Sequence, residues 1–193
     1  MNKTKHLDIG CGSSPRNPFN CDELYGVDII KQQSTDFNYQ QCNVILEKLP
    51  FNDSSFDSVS AFDFLEHIPR LSVINNETQF PFINFMNEAY RVLKPDGVFY
   101  AITPCYPCVE AFVDPTHVNF ITKKTHRYFS APKHRAKMYG FTGNFEVIRV
   151  KKTKFSQETK PHSKLVKVLK NILYTILYTK KSHIVWEFRA IKD

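Results

Sequence analysis

The sequence predicts an α/β fold. One domain is built on a mostly parallel sheet, with an antiparallel edge strand and a basic amphipathic helix inserted before the last strand. Three observations predict it. The run Leu7-Asp8-Ile9-Gly10-Cys11-Gly12 reads as a short buried strand ending in a tight turn. A second strand, Tyr25-Gly26-Val27-Asp28-Ile29, places an acid twenty positions after Asp8. Farther along, apolar residues recur at helical spacing, stop at Lys94-Pro95-Asp96-Gly97 and give way to another strand.

Glycine suits the turn after the first strand, where the backbone takes a positive φ or lies flat against a ligand. In nucleotide-binding α/β folds an acid at the spacing of Asp28 hydrogen-bonds ribose hydroxyls from the end of the second strand. Between these strands Pro15 and Pro18 disfavour a regular helix. The first helix is therefore expected to shrink to a loop or a single turn. Residues 31–43 are polar. Asp57-Ser58-Val59-Ser60-Ala61-Phe62 reads as the fourth strand, followed by a loop containing Pro69. From about residue 77 to 93, Phe82, Ile83, Met86, Ala89, Tyr90 and Leu93 mark one helix face. Val98 to Thr103 is the strand that follows.

The pattern then changes. Residues 105–128 are rich in Pro, His and aromatics and show no period, and a loop of that length is usually functional. Phe145-Glu146-Val147-Ile148-Arg149-Val150 alternates as a strand, and residues 183–191 read as its antiparallel partner at the sheet edge. Between them, residues 164–181 put Leu165, Val168, Leu169, Ile172, Leu173 and Ile176 on one side and lysines largely on the other. Such a helix packs on its own domain with a solvated lysine face, or makes peripheral contact with a membrane or an anionic lipid-linked substrate.

A chain of 193 residues fits one domain with a real core, and 42% hydrophobic with 14% aromatic residues excludes global disorder. The five cysteines, Cys11, Cys21, Cys42, Cys105 and Cys108, are odd in number and scattered. No signal peptide precedes the first strand, so a cytoplasmic location with free thiols is expected. No apolar run approaches the ~20 residues that cross a bilayer. The net charge is +7, yet residues 1–100 hold eight Lys and Arg against thirteen Asp and Glu. The basic excess follows the early strands, and it admits nucleic acid, an anionic surface or an acidic substrate as partner.

Further motifs lie between the early strands and the helix stop. They are Leu49-Pro50-Phe51-Asn52-Asp53-Ser54-Ser55-Phe56-Asp57-Ser58-Val59, Leu65-Glu66-His67-Ile68 and Arg91-Val92-Leu93-Lys94-Pro95-Asp96-Gly97. In this order and spacing, from Leu7 to about Thr103, the chain resembles the S-adenosylmethionine (SAM)-dependent methyltransferases with a Rossmann-like fold. With Asp114-Pro115-Thr116-His117 it is similar to small bacterial members encoded with cell-surface polysaccharide enzymes. The resemblance implies SAM as cofactor, with residues 1–103 as the cofactor-binding half and 104–193 supplying the substrate loop, edge strands and basic helix. It implies that the turn of Asp8, Gly10, Cys11 and Gly12 passes beneath the methionine and ribose. Asp28 would take the ribose hydroxyls and Ile29 the adenine face. Asn43 and Val44 would meet the adenine edge, although relatives commonly carry Asp where Asn43 stands. Phe62 would lie by the methionine moiety.

Methyl transfer to a hydroxyl needs a base, and imidazole suits neutral pH. His117 is the candidate base, with Asp114 and His126 as further substrate contacts. His67 reads as a packing or hydrogen-bonding residue. Cys105 and Cys108 have metal-ligand spacing but no second pair, and no metal is assigned. The expected acceptor is a hydroxyl on a sugar or another small molecule, anionic or lipid-linked. A nucleic-acid or protein methyltransferase is the alternative raised by the charge. It is disfavoured because Ala61-Phe62-Asp63-Phe64 stands where many amino-group methyltransferases carry Asn-Pro-Pro-Tyr. The incomplete glycine pattern argues against an NAD-dependent oxidoreductase. A non-catalytic SAM-binding relative is the remaining alternative.

Overall fold

The computed structural model describes residues 3–32, 36–155 and 181–192. Seven strands form the main sheet: β1 (Lys5–Ile9), β2 (Glu23–Asp28), β3 (Asn38–Gln41), β4 (Phe56–Phe62), β7 (Leu93–Pro104), β8 (Phe145–Thr153) and β9 (His183–Ala190). A separate hairpin pairs β5 (Ser72–Ile74) with β6 (Glu77–Gln79), and α1 spans Pro81–Val92. The sheet order is β3-β2-β1-β4-β7-β9-β8. The first five strands in that order run parallel, and β9 is antiparallel to both neighbours. This is the predicted single α/β domain with a mostly parallel sheet. The antiparallel strand β9 lies one place in from the edge, and β8 forms the edge itself.

Strand order reverses between β1 and β4, so the chain leaves the sheet in opposite directions there. That crevice, at the carboxyl ends of the strands, is where open α/β sheets bind ligands. Registers Ile9↔Val27, Ile9↔Ala61 and Phe62↔Ile102 bring the ends of β1, β2, β4 and β7 to one rim.

α1 begins where Pro81 fixes φ at the first helical position. It buries Phe82, Ile83, Phe85, Met86, Ala89 and Val92. Its predicted first turn belongs instead to the hairpin. Residues 77–79 pair with 72–74, because Asn75 and Asn76 accept the left-handed φ of 51° and 62° that the connecting turn requires. Between β1 and β2 the chain runs through turns without a helix, as the two prolines predicted.

The order of the sequence motifs along the chain has a structural cause. Arg91, near the end of α1, donates to the Phe51 and Leu49 carbonyls and pairs with Asp53 and Glu88. Glu88 in turn accepts from the Leu49 amide. Lys94 pairs with Asp57, which also accepts from the Lys5 amide. These contacts lock the amino ends of β1, β4 and β7 together, opposite the ligand rim.

The segment expected as a basic amphipathic helix, 164–181, lies outside the described residues except for Lys181. Among the described residues, no helix is long and apolar enough to cross a membrane.

The antiparallel end of the sheet is built on aromatics. Phe145 packs against Tyr90, Phe99, Phe141 and Phe188 with ring centroids 5.3–6.2 Å apart, and it is fully buried. Phe145→Ala is expected to cost about 3–5 kcal/mol, the usual loss for a buried Phe truncated to a cavity. Urea denaturation should show a lower midpoint at unchanged slope.

Candidate functional site

The turn after β1 is held by two carboxylates. Asp8 is fully buried; its Oδ1 accepts from Ser60 at 2.6 Å and its Oδ2 from the Arg16 amide at 2.8 Å. Asp28 ends β2; it accepts from the Gly12 amide at 2.9 Å and from the Ile30 amide at 3.0 Å. The Gly10 and Cys11 amides both reach the Val27 carbonyl. Gly10 (φ 70°) and Gly12 (φ 55°) both take left-handed backbone. A Cβ at Gly10 would run into the Phe64 ring, whereas a Cβ at Gly12 would meet nothing within 4 Å. Gly10 is therefore demanded by the chain's own packing. Gly12 floors an open cradle.

Behind Asp8 lies a buried relay. Ser60 spends its only proton on Asp8, so it accepts from His6 Nε2–H at 2.8 Å. His6 Nδ1 then accepts from Ser58 at 2.7 Å. The imidazole is neutral; burial depresses His6 to about 4. Burial raises Asp8 to about 6, against the pull of Ser60 and Arg16.

The remaining expected cofactor contacts surround this turn. Ile29 is exposed beside Asp28, and Leu46 is exposed beyond Asn43. The Asn43 side-chain oxygen accepts from the Ile45 amide at 3.2 Å, and its backbone carbonyl accepts from Leu46 and Glu47. Asn43 thus caps its own turn. Val44 packs on the main core. Cys11 is buried, with its thiol on the Gly12 carbonyl. Phe62 is buried with Tyr100, Ile102 and Val185, under the Arg16 guanidinium at 4.6 Å.

A second group sits past the end of β4. Glu66, in the 3-10 turn Leu65–His67, is 1% exposed and accepts from Thr103 through Oε2 at 2.8 Å. Its Oε1 is buried without a hydrogen-bond partner. Desolvation lifts the Glu66 carboxyl to about 8. His117 Nε2 lies 4.0 Å from Glu66 Oε1 and 4.0 Å from Asp114 Oδ2. His67 and His117 meet edge to face with centroids 4.8 Å apart. The loop is docked here by its backbone, since the Val118 and Asn119 amides both donate to the Glu66 carbonyl. Asn119 also bonds Leu65 and Arg70.

His117 and Asp114 therefore share a site with Glu66 and His67. His126 lies in a separate 3-10 turn, Thr125–Tyr128, and bonds through its backbone to Ser130 and Phe129. Among the described residues nothing joins it to Glu66, His67 or His117. Glu66 was missed by sequence reasoning as a site residue. Its signal is the Glu-His pair following a strand end, coupled to a histidine after the next parallel strand. Cys105 and Cys108 are free and buried, each with its thiol on a backbone carbonyl. A shallow concavity lined by Lys5, Tyr25, Phe51 and Phe56 opens at the amino ends of the strands, away from this rim.

Residues 7–101 match the family model described as a methyltransferase domain. That match spans 95 of the chain's 193 residues. The methyl donor expected of such a domain is SAM. Across 110 residues the chain is 28% identical to the sterol 24-C-methyltransferase erg6 of Schizosaccharomyces pombe, covering 48% of this chain and 26% of that protein. The chain thus spans about a quarter of that relative's length. Over nearly its whole length it also resembles the fold of the YcgJ protein of Bacillus subtilis. That likeness has a TM-score of 0.56 at 17% identity and covers 99% of this chain and 93% of the other. It resembles equally a Haloferax volcanii putative methyltransferase solved with the Trm112 activator, with a TM-score of 0.61 at 14% identity, covering 100% and 84%.

The cradle fits the cofactor. The Gly12 floor is open, and the Asp28 carboxylate at the end of β2 keeps acceptor capacity beyond its two amide bonds.

The relay behind the turn sets an acid response. Neutral His6 favours the unfolded chain once the pH drops below about 6.5, and stability is lost as the pH falls toward about 4. Asp8 acts in reverse, because its raised value lets the folded chain take up a proton first, and stability is gained below about 6. The two offset each other. Asp8→Asn removes the offset, so between pH 7 and 4 its unfolding free energy should fall about 2–3 kcal/mol further than wild type's in urea denaturation. Parallel profiles would sink the assignment.

Proposed function

We propose that the protein methylates a hydroxyl oxygen of a small acceptor, a sugar or another anionic or lipid-linked molecule. The observation that carries this reading is the docking of His117 against Glu66 and Asp114 at the carboxyl end of β4, on the rim that also holds the Gly12 cradle. When bound, SAM supplies a methyl carbon that bonds to the acceptor oxygen as its bond to sulfur breaks, the electron pair staying on sulfur and the hydroxyl proton departing.

The chain's own residues prepare that displacement. Gly10, Cys11 and Gly12, tied down by Asp8 and Asp28, let the backbone pass close beneath the cofactor. Asp28 holds the ribose hydroxyls, Ile29 lies on the adenine, and the turn of Asn43 and Val44 closes the adenine edge. Phe62, clamped between Arg16 and Tyr100, walls the methionine side. His117 activates the acceptor hydroxyl, and Asp114 orients both. Alignment supplies much of the rate, since in-line geometry is prepaid on binding. The basic excess after residue 100 favours an anionic acceptor.

Two variants separate the halves of the site. Asp28→Ala should weaken SAM in titration calorimetry by about 1.5–3 kcal/mol, the worth of hydrogen bonds to a charged group. His117→Ala should lower turnover roughly 10²–10⁴-fold on a hydroxyl acceptor, found by screening nucleotide sugars and lipid-linked glycans with labelled SAM. SAM affinity should stay near wild type. Full turnover in that variant would move the activating group elsewhere. Gly10→Val should fail earlier, by loss of fold, because of the Phe64 ring.

A further inference from the structure

We propose that Glu66, His67 and His117 form a binding site for one divalent first-row transition cation. Three donor atoms, one from each residue, lie within 4.8 Å of one another. No thiol takes part, and two imidazoles with one carboxylate suit zinc, iron, manganese or cobalt better than calcium or magnesium.

The hydrogen bonds around the cluster fix which atoms are free. Thr116 has a single hydroxyl proton and gives it to Asp114 Oδ1 at 2.7 Å. Its 2.9 Å contact with His67 must therefore be one in which Nδ1–H donates to the hydroxyl oxygen. That leaves the lone pair of neutral His67 on Nε2. The chain Asp114–Thr116–His67 is the arrangement by which an outer carboxylate holds a ligating imidazole in the right tautomer, here through one hydroxyl. Thr103 occupies Glu66 Oε2 and leaves Oε1 unpartnered in a side chain 1% exposed. That oxygen lies 4.0 Å from His117 Nε2. A buried polar atom without a partner costs about 1–3 kcal/mol, and more when charged. A cation between these atoms removes that cost.

The spacing is that of a site awaiting its ion. Donors bonded at about 2.0–2.2 Å stand roughly 3–3.6 Å apart, so the three side chains close by up to about an ångström on loading. The scaffold is firm enough to bring them back to one place. Glu66 and His67 share one turn, and the His117 loop is pinned to that turn by two backbone amides. Three protein ligands leave open positions. Resting on the methyl-transfer reading for its role, the cation would take the acceptor oxygen there, lower its pKa and release the hydroxyl proton to solvent. His117 would then act through the ion.

Cobalt(II) is the probe. The full chain, freed of metal with a chelator, is titrated by calorimetry while its visible spectrum is followed. Wild type should take up one equivalent. His67→Ala and His117→Ala should each weaken binding at least tenfold. Thr116→Val should weaken it about 10–100-fold, as loss of an outer partner does, and Thr116→Ser should restore it. SAM titration of every variant checks that the cofactor cradle is still folded. Cobalt uptake equal in wild type and in the His67→Ala/His117→Ala double variant would overturn the site, as would a thiolate charge-transfer band from cysteine ligation. Loss of the cobalt site with SAM binding intact leaves methyl transfer standing. A cobalt site that needs both histidines in a protein that binds no SAM supports the metal site and overturns the methyl-transfer reading.

Discussion

The buried Asp8 carboxylate is the constraint on which the ligand rim depends. A charge in the sheet interior persists only where hydrogen bonds replace its water. Ser60 on β4 and the Arg16 amide supply them, and each ties a separate element to β1. Through Ser60, the His6 ring and Ser58, the same network runs along the β1–β4 seam. The seam is also where strand order reverses. The turn over it is thus held from beneath by Asp8 and from the side by Asp28. Neither carboxylate is a loose surface acid that the turn could do without.

The molecule divides its labour between the two ends of its strands. At the amino ends, Arg91, Lys94, Glu88 and Asp57 bind loop to helix and strand to strand. At the carboxyl ends, polar groups are left with unused capacity, as at Glu66 Oε1, His117 Nδ1 and the open floor of Gly12. Satisfied groups hold a fold together, and unsatisfied ones need a ligand to complete them. Two of the motifs that carry the methyltransferase resemblance, residues 49–59 and 91–97, belong to the first set. They report the scaffold faithfully and say little about the acceptor.

That asymmetry explains what could be read from the chain. Buried strands announced themselves, because Leu7, Ile9, Val27, Val59 and Ala61 must be apolar wherever the sheet is covered on both faces. β3 did not, since Asn38, Gln40 and Gln41 on an exposed edge carry no hydrophobic period. The hairpin before α1 was hidden likewise: Thr78 and Gln79 satisfy a helix or a strand equally well, and pairing decided between them. Asp8, Gly12 and Asp28 were legible because their spacing is local. The meeting of Glu66 with His117 was not, because fifty-one positions separate them and two backbone amides bring them together. Backbone contacts leave no trace in side-chain identity.

The place of β9 has a consequence for how the chain is made. It is synthesised after β8, yet it lies between β8 and β7. Until residues 183–190 leave the ribosome, β8 has no strand to pair with and β7 shows an open ladder. Phe99 and Phe145 wait uncovered beside it. The nascent chain therefore exposes an aromatic, unpaired sheet margin for the time taken to add the intervening residues. Such a margin is a surface on which chaperones and neighbouring chains compete. Closure pairs both sides of β9 at once, coupling the completion of the core to the arrival of residues 183–190.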